Sequence, residues 1–179
     1  MRKSENGLNY DWASWPFAEA LTGRAYELIT AGDYDCALQA LDTALALCPF
    51  HPRAWALKVL ALTYGGRREE ALAAAGEAVR RDAASGHGFT ARGAARAVSG
   101  EVAGGAEDCE YGLVLTPAGP LANYYAAFCR AYQGNADRCR ESLGRAVAVT
   151  RALGNRARSE EAFAPFRDEV WFRELVGRH

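Results

Sequence analysis

The chain has 179 residues, of which half are hydrophobic, and its 21 basic and 22 acidic side chains leave a formal net charge of −1. This length suits one compact domain or one short array of repeats. The near-balance of charge argues against a nucleic acid or an anionic membrane as the partner.

No part of the sequence resembles a membrane span or a secretory signal. No apolar stretch approaches the roughly 20 residues that cross a bilayer, and the opening segment MRKSENGLNYDW lacks an apolar centre. The five cysteines are odd in number and form no C-x-x-C pair, so we expect reduced thiols. Lysine is scarce while arginine and alanine are abundant, which is typical of a GC-rich bacterial genome. We therefore expect a cytoplasmic protein of bacterial origin.

An aromatic segment precedes the first predicted helix. Tyr10, Trp12, Trp15 and Phe17 are concentrated within residues 1–17, which makes the segment too aromatic for a disordered leader. We expect it to cap the N-terminal end of the fold. The alternative is that it inserts into the groove of its own array or of a second copy.

Glycine and small residues recur with a fixed period along the chain. One step of 34 residues connects Gly32, Gly66, Gly100 and Gly134; Ala37, Ala71, Gly105 and Cys139; Ala44, Ala78, Gly112 and Ala146; and Leu45, Val79, Leu113 and Val147. Apolar residues recur three or four positions apart on both sides of each turn glycine. Each period therefore predicts a helix, a tight turn and a second helix.

The predicted helices follow this period in chain order. They span about 17–31, 35–48, 52–65, 68–82, 86–99, 102–116, 120–133 and 136–152. The turn glycines suit the left-handed backbone that ends many helices, and prolines mark the unit boundaries. The units are expected at 18–51, 52–85, 86–119 and 120–153, within one domain over 1–179.

The tail after the fourth unit is rich in large apolar side chains. These are Phe163, Phe166, Val170, Trp171, Phe172 and Leu175. The last four have helical spacing, so we expect a helix near 167–177 that seals the end of the array within a C-terminal cap at 154–179. Core packing is the expected role of these side chains, because large apolar residues at helical spacing are usually buried.

The first unit reads GDYDxALxxLDxALxLxP from Gly32 to Pro49. This run resembles the tetratricopeptide repeat, whose pattern is W-x2-L-G-x2-Y, then A-x3-F, then P. The resemblance extends over roughly 18–151. It departs from the pattern at Arg96 and Arg130, where an aromatic residue is expected. Either the later units pack more loosely, or a carboxylate meets these two arginines.

The resemblance implies an all-α, right-handed solenoid of four helix-turn-helix repeats that binds a protein segment in its concave groove. Stepping by 34 places a candidate peptide-binding set on that face: Tyr26, Arg53, Leu60, His87, Thr90, Tyr124, Phe128 and Tyr132. Contact energy is expected to be concentrated at Tyr124 and Phe128. The alternative is that these two aromatics pack on the C-terminal cap. The rows lack the lysine and asparagine clamp of relatives that bind Hsp70 or Hsp90 tails, so such a tail is not the expected ligand.

No constellation for catalysis, metal binding or cofactor binding is found. The three histidines are scattered, and H-E-x-x-H, G-x-S-x-G and P-loop motifs are absent. The pairs Glu69–Glu70 and Glu160–Glu161 are interpreted as solvated surface, and Cys109 and Cys139 as core thiols. We therefore expect a non-catalytic adaptor for a protein or peptide partner. The alternatives are a bacterial secretion-type chaperone for an exported client and a homo-oligomeric structural module, for example a homodimer.

Overall fold

A computed structural model of the chain describes residues 13–117 and 119–177, and this part contains helices without strands. The α-helices are α1 Trp15–Ala31, α2 Tyr34–Leu47, α3 Pro52–Tyr64, α4 Arg68–Arg81, α5 Gly86–Val98, α6 Val102–Leu115, α7 Pro120–Tyr132, α8 Ala136–Val149, α9 Ala152–Ser159 and α10 Val170–Val176. A 3-10 helix, Glu161–Phe166, joins α9 to the turn before α10.

Helices α1 to α8 form successive hairpins that stack along one axis. Each odd-numbered helix contacts the even-numbered helix that follows it, and α1, α3, α5 and α7 also contact one another in sequence. The odd-numbered helices therefore line one face and the even-numbered helices the other. The predicted all-α, right-handed solenoid is confirmed.

The four hairpin turns share one backbone geometry. Gly32, Gly66, Gly100 and Gly134 have φ values of 84°, 74°, 90° and 70°, a region where a Cβ atom is strained. The amide after each glycine donates to the carbonyl five residues earlier over 2.9 Å, as in Asp33 to Leu28. This is the Schellman arrangement, which satisfies carbonyls at the helix end. The period in the sequence is thus the period of these turns.

The third hairpin is held together by glycine contacts and by an ion cluster. A Cβ atom on Gly93 would lie 2.5 Å from Cys109 Sγ and 2.6 Å from the Gly105 carbonyl oxygen, so the backbones of α5 and α6 approach very closely. The carboxylate of Asp108 accepts hydrogen bonds from Arg96 and Arg92. A carboxylate therefore meets Arg96, and the unit is tightly packed rather than loose.

Arg130 has a comparable environment in the fourth hairpin. Its Nη2 atom lies 3.5 Å from Glu110 Oε1, and its Nη1 atom donates to the Ser142 hydroxyl. Both arginines at the aromatic positions of the pattern are thus met by polar partners across a helix contact.

The N-terminal end differs in part from the expected cap. α1 begins at Trp15, two residues earlier than predicted, and the Trp15 ring stacks on His51 with a centroid distance of 4.5 Å. Phe17 is 69% exposed and does not pack as a cap residue. Tyr10 and Trp12 lie outside the described residues.

The C-terminal end contains the predicted capping helix and one unpredicted helix. α10 contacts α8 and α9, with Phe172 and Val176 buried and Val170 exposed. α9 is not predicted as a separate helix by the sequence pattern, and α8 ends three residues before its predicted end at 152.

Candidate functional site

The concave face of the solenoid is partly covered by the chain itself. We call residues 152–166, comprising α9 and the 3-10 helix, the C-terminal segment. Its Phe163 ring is fully buried and packs edge-on against Tyr124 and Phe128 of α7, with centroid distances of 5.8 and 6.4 Å. The fourth-unit end of the groove is therefore filled.

Half of the predicted groove residues are buried. Four side chains are between 0 and 3% exposed: Tyr124, Phe128, Leu60 and Thr90. Phe163 covers the first two, so their packing follows the alternative in which they meet the C-terminal cap. Leu60 and Thr90 line the buried contact between α3, α5 and α7. The expectation of an open aromatic groove centred on Tyr124 and Phe128 therefore does not agree with the structure.

The predicted groove residues Arg53 and His87 are not available as a free polar pair. Arg53 Nη1 donates to Glu19 Oε1 over 2.5 Å, so its charge is already paired within the chain. His87 is half-buried, and burial together with the Arg53 charge lowers the pKa of its imidazole. Neither side chain forms a free clamp for a carboxylate.

His51 connects the first two units. Its Nδ1 atom accepts a hydrogen bond from the Ala54 amide and so caps α3, while its Nε2 atom lies 2.9 Å from Glu19 Oε2. Because Nδ1 accepts, Nε2 carries the hydrogen and donates to the glutamate. The buried ring is thus fixed as one tautomer at the edge of the concave face.

Tyr26 and Tyr132 are the predicted aromatic groove residues that keep accessible surface. Tyr132 is exposed at the rim and packs edge-on against Phe128 at 5.0 Å. Tyr26 lines an open cleft of about 610 Å³ between α1 and α9. The cleft lies beside the C-terminal end of α1, Tyr64 of α3 and the C-terminal segment.

The cleft is lined by tyrosines and by an arginine–glutamate pair. Tyr26, Tyr34 and Tyr64 contribute rings from the solenoid, and Arg156 and Glu160 are contributed by the C-terminal segment. The Arg156 guanidinium lies 4.1 Å from the centre of the Tyr64 ring. The Tyr64 hydroxyl donates to Glu160 Oε2 over 3.0 Å. Two contacts of Tyr64 therefore join α3 to the C-terminal segment: the Arg156 cation lies over the Tyr64 ring, and the Glu160 carboxylate accepts from the Tyr64 hydroxyl.

Buried tyrosine hydroxyls lie beneath this contact. In the described part of the chain, the hydroxyls of Tyr124 and Tyr125 lie next to Arg156 and Tyr64 and form no hydrogen bond of normal geometry. Burial raises the pKa of Tyr125 to about 12, and it raises the pKa values of Tyr64 and Tyr124 well above the usual range. The phenols are therefore neutral at physiological pH.

Sequence reasoning missed the contribution of the C-terminal segment to this site. The sequence interpretation places Glu160 on the solvated surface together with Glu161, but its side chain is 15% exposed against 84% for Glu161. The spacing of Arg156 and Glu160, four residues apart, is a recognisable signal for one helix face. Nothing in the periodicity indicates that this face contacts Tyr64.

The described residues contain no group of three or more histidine, cysteine, aspartate or glutamate side chains arranged to hold a metal ion. None of their helices combines the length and the apolarity that a membrane crossing needs.

Neither a protein-family model nor a curated protein matches the sequence. Solved structures do match. TTC0263, a thermophilic TPR protein from Thermus thermophilus, is 17% identical, with 88% of this chain and 87% of that chain covered and a TM-score of 0.66.

Two domains from the RPAP3 proteins are also similar. The first TPR domain of human RPAP3 is 21% identical, covers 68% of this chain and 94% of its own, and has a TM-score of 0.54. The first TPR of Spaghetti (RPAP3), solved bound to the HSP90 peptide SRMEEVD, is 20% identical, covers 65% and 93%, and has a TM-score of 0.52. Together with the stacked hairpins and their common turn, these likenesses show that the chain has the tetratricopeptide-repeat fold.

Proposed function

We propose that this chain is a single, non-catalytic interaction domain that binds a segment of a partner protein in the concave cleft beside Tyr26. The observation that carries the proposal is the cleft itself, which is lined mainly by α1, Tyr64 of α3 and α9 and is large enough for several side chains. A solved domain of the same fold, the first TPR of Spaghetti (RPAP3), holds a peptide.

The lining of the cleft favours a peptide over a small apolar ligand. Tyrosine rings supply broad contact surfaces with a polar tip, which are common at the centre of protein interfaces. Thr30, Asn155 and Ser159 add hydrogen-bonding groups at the edge. Arg156 and Glu160 offset each other's charge, and the other charged lining residue, Glu27, is paired with Arg24, so the proposed binding does not depend on a strongly charged tail.

The proposal is tested by capture from native cells with the purified wild-type chain and with Tyr26→Ala. Loss of a specifically captured protein is expected for Tyr26→Ala, because the ring lines the cleft. Tyr111→Ala is the matched control, since that ring is half-exposed on α6, away from the cleft. Equal capture by wild type and by a folded Tyr26→Ala variant would remove the cleft as the binding site.

A further inference from the structure

We infer that the C-terminal segment is an internal ligand of the concave face, and that the partner displaces it by presenting the same anchors. These anchors are an arginine, a glutamate four residues later and a phenylalanine three residues after that, as in Arg156, Glu160 and Phe163. The part of this inference that concerns the partner rests on the proposed function.

The segment contacts the solenoid through two separate anchor sites. At the first, Arg156 covers the Tyr64 ring and Glu160 accepts from the Tyr64 hydroxyl. At the second, Phe163 packs edge-on against Tyr124 and Phe128. A charged helix turn at one site and one aromatic ring at the other are the features of a peptide bound in a groove.

Several polar contacts between the segment and the solenoid are weak. The hydroxyls of Tyr124 and Tyr125 are buried beneath the segment next to Arg156 and Tyr64, and in the described chain they form no hydrogen bond of normal geometry. The ion pair between Arg156 Nε and Glu160 Oε2 is 4.0 Å long, beyond hydrogen-bond distance. Buried polar groups in a permanent core almost all form good hydrogen bonds. These weak polar contacts favour a segment that opens and closes.

The segment is also built from short pieces. α9 has eight residues and the 3-10 helix has six, including Pro165. Helices of this length are not stable alone in water, so the segment keeps its form only while it is docked. The open cleft adjoins Arg156 and Glu160 on their accessible side. A competing peptide therefore meets the charged anchor first and then replaces Phe163.

Hydrogen exchange of the full wild-type chain tests whether the segment opens by itself. We expect amides of residues 152–159 to exchange at least tenfold faster than those of α7 and α8, because local opening does not require global unfolding. Exchange of α9 at the rate of α7, with the same dependence on denaturant, would overturn the inference. This measurement needs no variant and no partner.

Binding in trans tests the anchors. The probe is a fluorescent synthetic peptide with the sequence of residues 150–168. The full-length double variant Arg156→Ala/Phe163→Ala should bind this peptide at least tenfold more tightly than wild type does, because its own segment competes less well. The control variant Arg158→Ala/Val170→Ala changes side chains outside both anchor sites and should behave as wild type.

A host peptide of alanine and glutamine tests the partner chemistry. With arginine, glutamate and phenylalanine at the native spacing, the host peptide should bind the double variant with an affinity within tenfold of that of the native peptide. With the three residues shuffled, its affinity should be lower than that.

Two outcomes would overturn the inference. If a folded double variant does not bind the native peptide, the segment is not an internal ligand. If both host peptides bind equally well, the anchor pattern is wrong. If the double variant fails to fold, Arg156→Ala alone is used, and the exchange result decides whether the segment opens. Because the probes are synthetic, these outcomes are independent of the capture experiment.

Discussion

Arg96 Nη1 donates a hydrogen bond to Asp108 Oδ2 over 2.7 Å, across the contact between α5 and α6. Arg92 binds both oxygens of the same carboxylate, at 2.7 and 2.5 Å. The buried Asp108 carboxylate thus binds two guanidinium groups, one of which, Arg96, occupies a position where the repeat pattern expects an aromatic side chain. In the third unit this ion cluster stands where the repeat pattern expects an aromatic ring, and it lies in the same hairpin as the close approach of the two backbones at Gly93.

The ion cluster predicts a large effect of Asp108→Asn on stability. Removing one partner of a buried ion pair costs about 3–5 kcal/mol, but the Arg92 and Arg96 side chains are 26% and 33% exposed, so solvent screens part of the loss. We expect the free energy of unfolding in urea to fall by about 2 kcal/mol. Glu110→Gln, on a half-exposed carboxylate that also meets two arginines, should cost less than about 1 kcal/mol. Equal losses would contradict the role of Asp108.

The close approach of α5 and α6 predicts opposite effects of two glycine-to-alanine substitutions. Gly93→Ala places a methyl group against Cys109 Sγ and the Gly105 carbonyl, and overpacking of this kind costs about 1–3 kcal/mol. Gly76→Ala in α4 has nothing within 4 Å of the new atom, so its helix propensity should raise the free energy of unfolding by about 0.5–1 kcal/mol. Thermal unfolding followed by circular dichroism measures both. A neutral Gly93→Ala variant would show that the helices separate without cost.

The buried tyrosines predict a loss of stability at alkaline pH. The pKa of Tyr125 is raised by burial from 10.0 to about 12 in the folded chain, so the unfolded chain releases this proton first as pH increases. The stabilisation is complete below pH 10 and is lost as pH rises through about 12, which amounts to about 2–3 kcal/mol for one phenol. Denaturation in urea at several pH values should show this decline. Tyr125→Phe should make this decline shallower without abolishing it, because the pKa values of Tyr64 and Tyr124 are raised as well. An unchanged slope in that variant would assign the decline to other groups.

The two contacts of His51 predict that its helix cap contributes to stability separately from its contact with Glu19. His51→Ala removes both the cap on the Ala54 amide and the contact with Glu19, so we expect a loss of about 2 kcal/mol. His51→Asn keeps a side chain that can cap α3 and should recover about half of that loss. Urea denaturation compares the three proteins. The same stability in the alanine and asparagine variants would show that the cap contributes nothing.

Local patterns in the sequence predict the hairpins well and the groove poorly. The turn at Gly32 and the stripe around Leu41 depend on neighbours within one unit, so the pattern places their helices within a few residues. α9 is missed because ALGNRARS has Leu153 and Ala157 as its buried apolar side chains and no extended stripe. The burial of Tyr124 and Phe128 depends on Phe163, which is distant in sequence. A repeat period contains no information about where a non-repeating tail folds back.

Every hairpin closes with the same left-handed glycine and the same backbone hydrogen bond, at a constant step of 34 residues. The hydrogen bond of this turn joins main-chain atoms, so it does not depend on the side chains that flank the glycine. A whole 34-residue unit inserted between two of these turns would leave the repeat register of every later helix unchanged. The array can therefore be lengthened by inserting whole units. In a longer array, the C-terminal segment would cover a smaller fraction of the concave face.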